Sequence, residues 1–170
     1  MVLTDKHIRA WAAFLETGGD FLICFEDDAM FKDDSNQRVA DLLDTLSRKN
    51  CDTPIYVDLA GGCELDELKI GNLETGRDAS FRFYSKPVTN TACAYLMSRS
   101  LVTSFYEIVT RRPWLRLIGA DWMINKLLML MESDGVTCDC MHAEPTIFKH
   151  GSATGEYQSM FLGRATGSIE

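Results

Sequence analysis

The sequence predicts an α/β fold in one domain, and three observations carry that expectation. At 170 residues the chain is long enough for one sizeable core and short for two. Residues 21–25, Phe-Leu-Ile-Cys-Phe, are apolar on both alternating faces, as expected of a strand covered on both sides. Between that run and a second apolar run at 54–60 lies a stretch of helical periodicity, so strand, helix and strand follow one another.

In chain order, residues 4–16 place Ile8, Trp11, Ala12 and Leu15 on one helical face, with Thr4 as N-cap and Gly18 and Gly19 ending the helix. The strand at 20–26 is expected in the centre of the sheet. Residues 35–50 repeat the helical pattern through Val39, Leu42, Leu43 and Leu46, behind a Ser35 cap. The strand at 54–60 completes a β-α-β unit, which favours a parallel pair with a right-handed crossover. Residues 61–80, with Gly-Gly, Gly-Asn and Thr-Gly-Arg-Asp, read mostly as loop. Residues 81–85 and 91–98 read as strands, 98–112 as a helix closed by Pro113, and 119–133 as a helix opening near Asp121. Short strands are expected at 136–142 and 145–148, followed by a polar, glycine-bearing tail from His150.

Composition excludes some classes of partner. A formal net charge of −8 argues against broad binding to nucleic acid or to an anionic membrane, both of which rest on clustered Lys and Arg. No apolar run approaches the roughly 20 residues of a membrane span, and the N-terminus lacks a signal-peptide core, so the expected location is cytoplasmic. The six cysteines, at 24, 51, 63, 93, 138 and 140, show no repeated C-x-x-C spacing and are expected to be reduced core thiols.

The chemistry begins where residues 21–25 run into Glu26, Asp27 and Asp28. In open α/β sheets ligands bind beyond the carboxyl ends of the strands, and the three acids lie at such an end. Unit charges about 4 Å apart repel by roughly 4 kcal/mol at an effective dielectric of 20, so partly buried acids must protonate, separate or find a cation. Oxygen ligands of this kind suit a divalent metal, Mg²⁺ or Mn²⁺. The alternative is a solvated acidic turn, or Asp27 and Asp28 capping a following helix.

Taken together, His-Ile-Arg-Ala-Trp (7–11), Phe-Glu-Asp-Asp-Ala (25–29), Thr-Ala-Cys-Ala-Tyr-Leu-Met-Ser-Arg-Ser (91–100), Gly-Ala-Asp-Trp-Met-Ile-Asn (119–125) and Pro-Thr-Ile-Phe-Lys-His-Gly-Ser (145–152) resemble glycosyltransferase family 25, the lipopolysaccharide-type and collagen-type galactosyltransferases. The resemblance covers roughly residues 7–160. It implies a partial GT-A-like, Rossmann-like mixed sheet flanked by helices, in a single domain over residues 1–170. It also implies metal-dependent transfer of a hexose, galactose or glucose, from a nucleoside diphosphate sugar to a glycan or other hydroxyl acceptor. By the same resemblance, Asp28, Glu26 and His150 would hold the metal, with Asp28 the more direct ligand. Glu26, Asp27, Thr89, Asn90, Thr91 and Lys149 would line the substrate site, and Asp121 would contact the acceptor or take its proton.

Two departures accompany the resemblance. Lys6 stands where the family usually has Ser, and the βα units that bind the nucleotide in family members precede the region matched here. That second departure raises the expectation of self-association, or of a partner that covers the missing section. Each site residue also has a plainer reading: His150 as a solvated loop histidine, Asp121 as a helix cap, His7 as a packed or capping histidine. A non-catalytic, sugar-binding or partner-binding derivative of the fold is the competing function. A metal-dependent phosphate hydrolase is disfavoured, because no second cluster of Asp or His accompanies the first.

Overall fold

The computed structural model describes residues 3–49, 52–61, 73–75, 81–84 and 91–156. They form a small α/β domain with a mixed sheet flanked by helices. The elements are α1 (Leu3–Leu15), β1 (Phe21–Phe25), β2 (Ala29–Phe31), α2 (Ser35–Ser47), β3 (Ile55–Asp58), β4 (Leu73–Thr75), β5 (Phe81–Tyr84), β6 (Ala94–Ser98), α3 (Arg99–Arg111), a 3₁₀ turn (Pro113–Leu117), α4 (Ala120–Ser133), β7 (Asp139–Ala143), β8 (Phe148–His150) and the short α5 (Gly151–Thr154). The main sheet has the order β1-β6-β3-β7-β5-β4, and β2 and β8 form a separate antiparallel pair.

Strand alternation divides the core into two layers. Tyr56, Tyr95, Met97 and Cys140 face α1, α3 and α4, packing against Ile8, Trp11, Leu101, Phe105, Met123 and Leu127. Ile55, Val57, Leu96 and Met141 face the other way, against Leu42 and Leu46 of α2 and against Phe148 of β8. Burial of this apolar surface, at about 25 cal/mol per Å², is the main force holding the layers together. Among the described residues, no helix is long and apolar enough to cross a membrane.

Several expectations change. β1 is an edge strand among the described residues, because its ladder runs to β6 alone. Its two apolar faces report covered surfaces and carry no information about its place in the strand order. β1 and β3 do run in the same direction, but the expected parallel pair is absent: β6 is inserted between them, antiparallel to both. The parallel pair among the described strands is β3 with β7. β6 is buried at all five positions, so a central slot suits it better than the half-exposed β1.

Capping also departs from expectation. Thr4 lies inside α1 and its hydroxyl donates to the Ile118 carbonyl at 2.6 Å, tying the start of α1 to the segment before α4. Ser35 is the first residue of α2 rather than its cap, and its hydroxyl donates to the Ile147 carbonyl at 2.7 Å. Four elements were not foreseen: β4 in the glycine-rich stretch, β2 straight after the acidic run, the 3₁₀ turn after Pro113, and α5 in the polar tail. The Ser98 cap of α3 is a second use for a hydroxyl already in the sheet, since Ser98 Oγ accepts from Leu101 N at 3.4 Å and from the buried Ile55 N at 2.9 Å.

Ser98→Ala removes the one oxygen that accepts both bonds and leaves the buried Ile55 N–H unpaired. A loss of about 1–3 kcal/mol is expected in denaturant unfolding. A change below about 0.5 kcal/mol would mean that water replaces the hydroxyl.

Candidate metal centre

The acidic run is split by the chain's change of direction. Glu26 continues the β1 ladder, its N–H donating to the Cys93 carbonyl at 2.8 Å, and Asp27 and Asp28 form the turn into β2. The three side chains then go to three environments: Glu26 is half-buried, Asp27 is exposed, and Asp28 is buried at 7% exposure. The repulsion expected among adjacent acids is relieved by separation.

Asp28 is drawn under β8. Ala29 pairs with His150 in the β2–β8 ladder, and Gly151 N donates to the Asp28 carbonyl at 2.9 Å. This register sets His150 Nε2 at 3.1 Å from Asp28 Oδ2, and Ser152 Oγ donates to the same oxygen at 2.5 Å. Lys32, Ser35 and Arg38 hold the strand's approach from the other side, through the carbonyls of Pro145, Thr146 and Ile147.

The third member is Cys93. It lies just before β6, between the ends of β1 and β3, because Glu26 N bonds its carbonyl and Leu59 N bonds the next carbonyl, Ala94, at 2.9 Å. Asp28, Cys93 and His150 each bring a potential ligand atom within 4.8 Å of the other two. Asp28 Oδ1 is buried without a hydrogen bond of acceptable geometry, and so is His150 Nδ1. The group set against the carboxylate is the Cys93 thiol, a weak donor.

Electrostatics agree with the geometry. Burial pushes the Asp28 carboxyl up, but the Ser152 hydroxyl and His150 outweigh it and hold Asp28 below its usual range. Cys93 is pushed far up, first by burial and then by the carboxylates of Asp28, Glu26 and Asp58. A buried thiol beside the Asp28 carboxylate and the His150 imidazole, within the field of two further carboxylates and with one carboxylate oxygen lacking a hydrogen bond, is a donor set with a deficit of positive charge. Oxygen, nitrogen and sulfur ligands at this separation fit a divalent ion.

The remaining predicted residues are placed as follows. Glu26 is not part of this group; its Oε1 lies 3.3 Å from His7 Nε2. His7 Nδ1 is 2.7 Å from the Tyr95 hydroxyl, which accepts from Trp11 Nε1 at 3.1 Å. A neutral His7 carrying its proton on Nε2 satisfies all three bonds at once, so Trp11, Tyr95 and His7 form a one-way buried chain ending on Glu26. Glu26 and Asp27 line an open groove of about 450 Å³ between α1 and β1, together with Lys6 and Leu22.

Thr91 lies beside the centre's edge: its N–H reaches Asp58 Oδ2 at 3.4 Å and its hydroxyl donates to the Gly61 carbonyl at 3.2 Å. Thr89 and Asn90 lie outside the described residues. Lys149 is exposed, paired with Glu156 at 3.2 Å, and alternation along β8 turns it away from the His150 side.

Asp121 is in the first turn of α4, whose cap is Gly119, so it does not cap the helix as expected. Its Oδ1 accepts from Trp122 N at 2.8 Å. Among the described residues no hydrogen bond or ion pair joins it to Asp28, Glu26 or His150. The Thr4–Ile118 bond brings the segment before α4 beside the first turn of α1, one turn from His7.

Two groups escaped the sequence reading. Cys93 sits in an apolar run, where a cysteine reads as core. Asp58 and His142, opposite one another in the β3–β7 ladder, are both buried, with Nδ1 at 3.7 Å from Oδ2; Asp58 also accepts from Ala60 N and Gly61 N. Their signal was a polar residue at or next to the end of each strand, Asp58 closing β3 and His142 just before the last residue of β7. No family model matches the chain, and no curated protein matches it.

Because the folded state holds Asp28 below its unfolded range, its contribution to stability is present above about pH 4 and is lost as pH falls through the lowered value. Asp28→Asn is therefore expected to flatten the acid limb of a stability-against-pH profile. Identical acid limbs in the two proteins would show that Ser152 and His150 do not hold the carboxyl down.

Proposed function

We propose that this chain is a glycosyltransferase-like domain that binds a nucleoside diphosphate sugar through a divalent cation and transfers its hexose, galactose or glucose, to a glycan hydroxyl. The observation that carries the reading is the meeting of Asp28 and His150, from distant parts of the chain, at 3.1 Å beyond the end of β1. These are two of the three residues that the resemblance to glycosyltransferase family 25 assigns to the metal.

Asp28 and His150 hold the cation in this reading, and a cation there supplies positive charge against the diphosphate that leaves. Glu26, locked by His7, and Asp27 present carboxylates along the groove beside α1, where sugar or acceptor hydroxyls can donate to them. Thr91 offers a hydroxyl beside Asp58. Asp121, near the start of α1, is the base for the acceptor proton. Lys149 stays on the outer face of β8 and adds only long-range positive charge.

One observation favours the second reading, a sugar-binding or partner-binding domain without transfer: the Asp121 carboxylate is turned to its own helix through Trp122 N. Calorimetry with UDP-galactose, UDP-glucose and GDP-mannose, with and without divalent cation, separates the readings when paired with product analysis. Cation-dependent binding of a sugar nucleotide, weakened about tenfold or more by Asp28→Ala, or about 1.4 kcal/mol, is expected. Transfer abolished by Asp121→Asn with binding intact assigns the base. Binding with no product in the wild type supports the non-catalytic reading, and absence of cation-dependent binding contradicts transfer and the sugar-binding form of the second reading, leaving only a partner-binding domain.

A further inference from the structure

We propose that Cys93 is a metal ligand and that the ion of this centre belongs to the zinc class, Zn²⁺ or Co²⁺, rather than to the Mg²⁺ or Mn²⁺ class. The inference rests on the reading of Asp28 and His150 as a cation site and names the third ligand and the kind of ion.

An all-carboxylate motif points to a hard cation, since Mg²⁺ and Mn²⁺ take oxygen ligands. The fold removes that motif. Glu26 is committed to His7, Asp27 faces solvent, and the place of a second carboxylate beside Asp28 and His150 is taken by the Cys93 thiol. One carboxylate, one imidazole and one thiolate is a mixed donor set that zinc accepts and that Mg²⁺ does not.

Distances agree. Ligands bound to a tetrahedral zinc at about 2.0–2.3 Å stand roughly 3.3–3.8 Å from one another. The Asp28 Oδ2 to His150 Nε2 separation is 3.1 Å, and all three donors fall within 4.8 Å, so a shift of a few tenths of an ångström to about 1 Å brings them to bonding range.

Charge agrees as well. On binding, the thiol proton leaves to solvent, so one carboxylate and one thiolate balance a dication beside a neutral imidazole. A second observation points to the same ion: Asp28 is 7% exposed and its Oδ1 lacks a hydrogen bond of acceptable geometry, although it lies in this cluster. Three protein ligands leave a fourth tetrahedral position open. That is the form of a zinc site that takes water or a substrate oxygen, whereas structural zinc sites are closed by four protein ligands.

The test is titration of the full chain with Co²⁺ under reducing, anaerobic conditions, reading the thiolate-to-cobalt charge-transfer band in the near ultraviolet and the visible intensity of a tetrahedral ion. A saturating 1:1 signal that Zn²⁺ displaces and a large excess of Mg²⁺ does not is expected. Cys93→Ser should abolish the charge-transfer band and weaken Zn²⁺ by about tenfold or more. Cys24→Ala, which alters a thiol on β1 outside the cluster, should keep the band. His150→Ala, at a partly exposed position, should lose the tetrahedral signal and serves if Cys93→Ser fails to fold. Saturable binding without a thiolate band, unchanged in Cys93→Ser, would overturn the role of Cys93 while leaving the Asp28–His150 reading in place. Displacement of Co²⁺ by Mg²⁺ at equal concentration would overturn the ion class. No saturable binding of either ion would sink both.

Discussion

Burying the Asp28 carboxylate is the constraint on which the upper end of this domain depends. An ionised group taken out of water costs several kcal/mol unless it is paired and hydrogen-bonded, and here the partners come from elements distant in the sequence. Ser152 and Gly151 of α5 bond the side chain and backbone of Asp28, His150 of β8 stands against it, and the β2–β8 ladder fixes their register. β8 is in turn anchored to the main sheet by Ile147 N and Phe148 N on the Leu59 carbonyl, and its approach is held by Lys32, just before α2, and by Ser35 and Arg38 of α2. The small two-stranded sheet thus clamps the acidic turn over the ends of β1, β6 and β3.

A second polar assembly shares the same end of the sheet and keeps Glu26 out of the first. The chain from Trp11 through Tyr95 and His7 to Glu26 crosses the core between α1 and β6, and every member has a partner. Such a network specifies one packing of α1 on the sheet, because a shifted helix would leave the Tyr95 hydroxyl and the His7 ring unpaired in an apolar layer. Adjacent acids in the sequence consequently acquire different work: Glu26 orients toward the groove, Asp27 meets solvent, and Asp28 joins Cys93 and His150.

Much of this was legible in the residues. The helices at 4–16, 98–112 and 119–133 follow from apolar periodicity, and the placement of an acidic cluster at a strand's carboxyl end follows from a two-sided apolar run stopping at Glu26. What was not legible depends on pairing. Nothing in the alternation of β1 or β6 says that β6 lies between β1 and β3, since strand order is a property of long-range hydrogen bonds. β2 escaped because three residues are too few to show a period. Cys93 escaped because a cysteine among Ala and Tyr is indistinguishable from core until the fold sets it beside Asp28 and His150. Asp121 was recognisable as a first-turn acid, but its direction was not.

The central claim is that Asp28, Cys93 and His150 converge on one ion, and anomalous diffraction from crystals grown with Zn²⁺ tests it most directly. The account predicts a single strong peak at the zinc edge within bonding distance of Asp28, Cys93 and His150. A peak between Glu26 and His7 instead, or no peak at the Asp28 turn under saturating Zn²⁺, would contradict it.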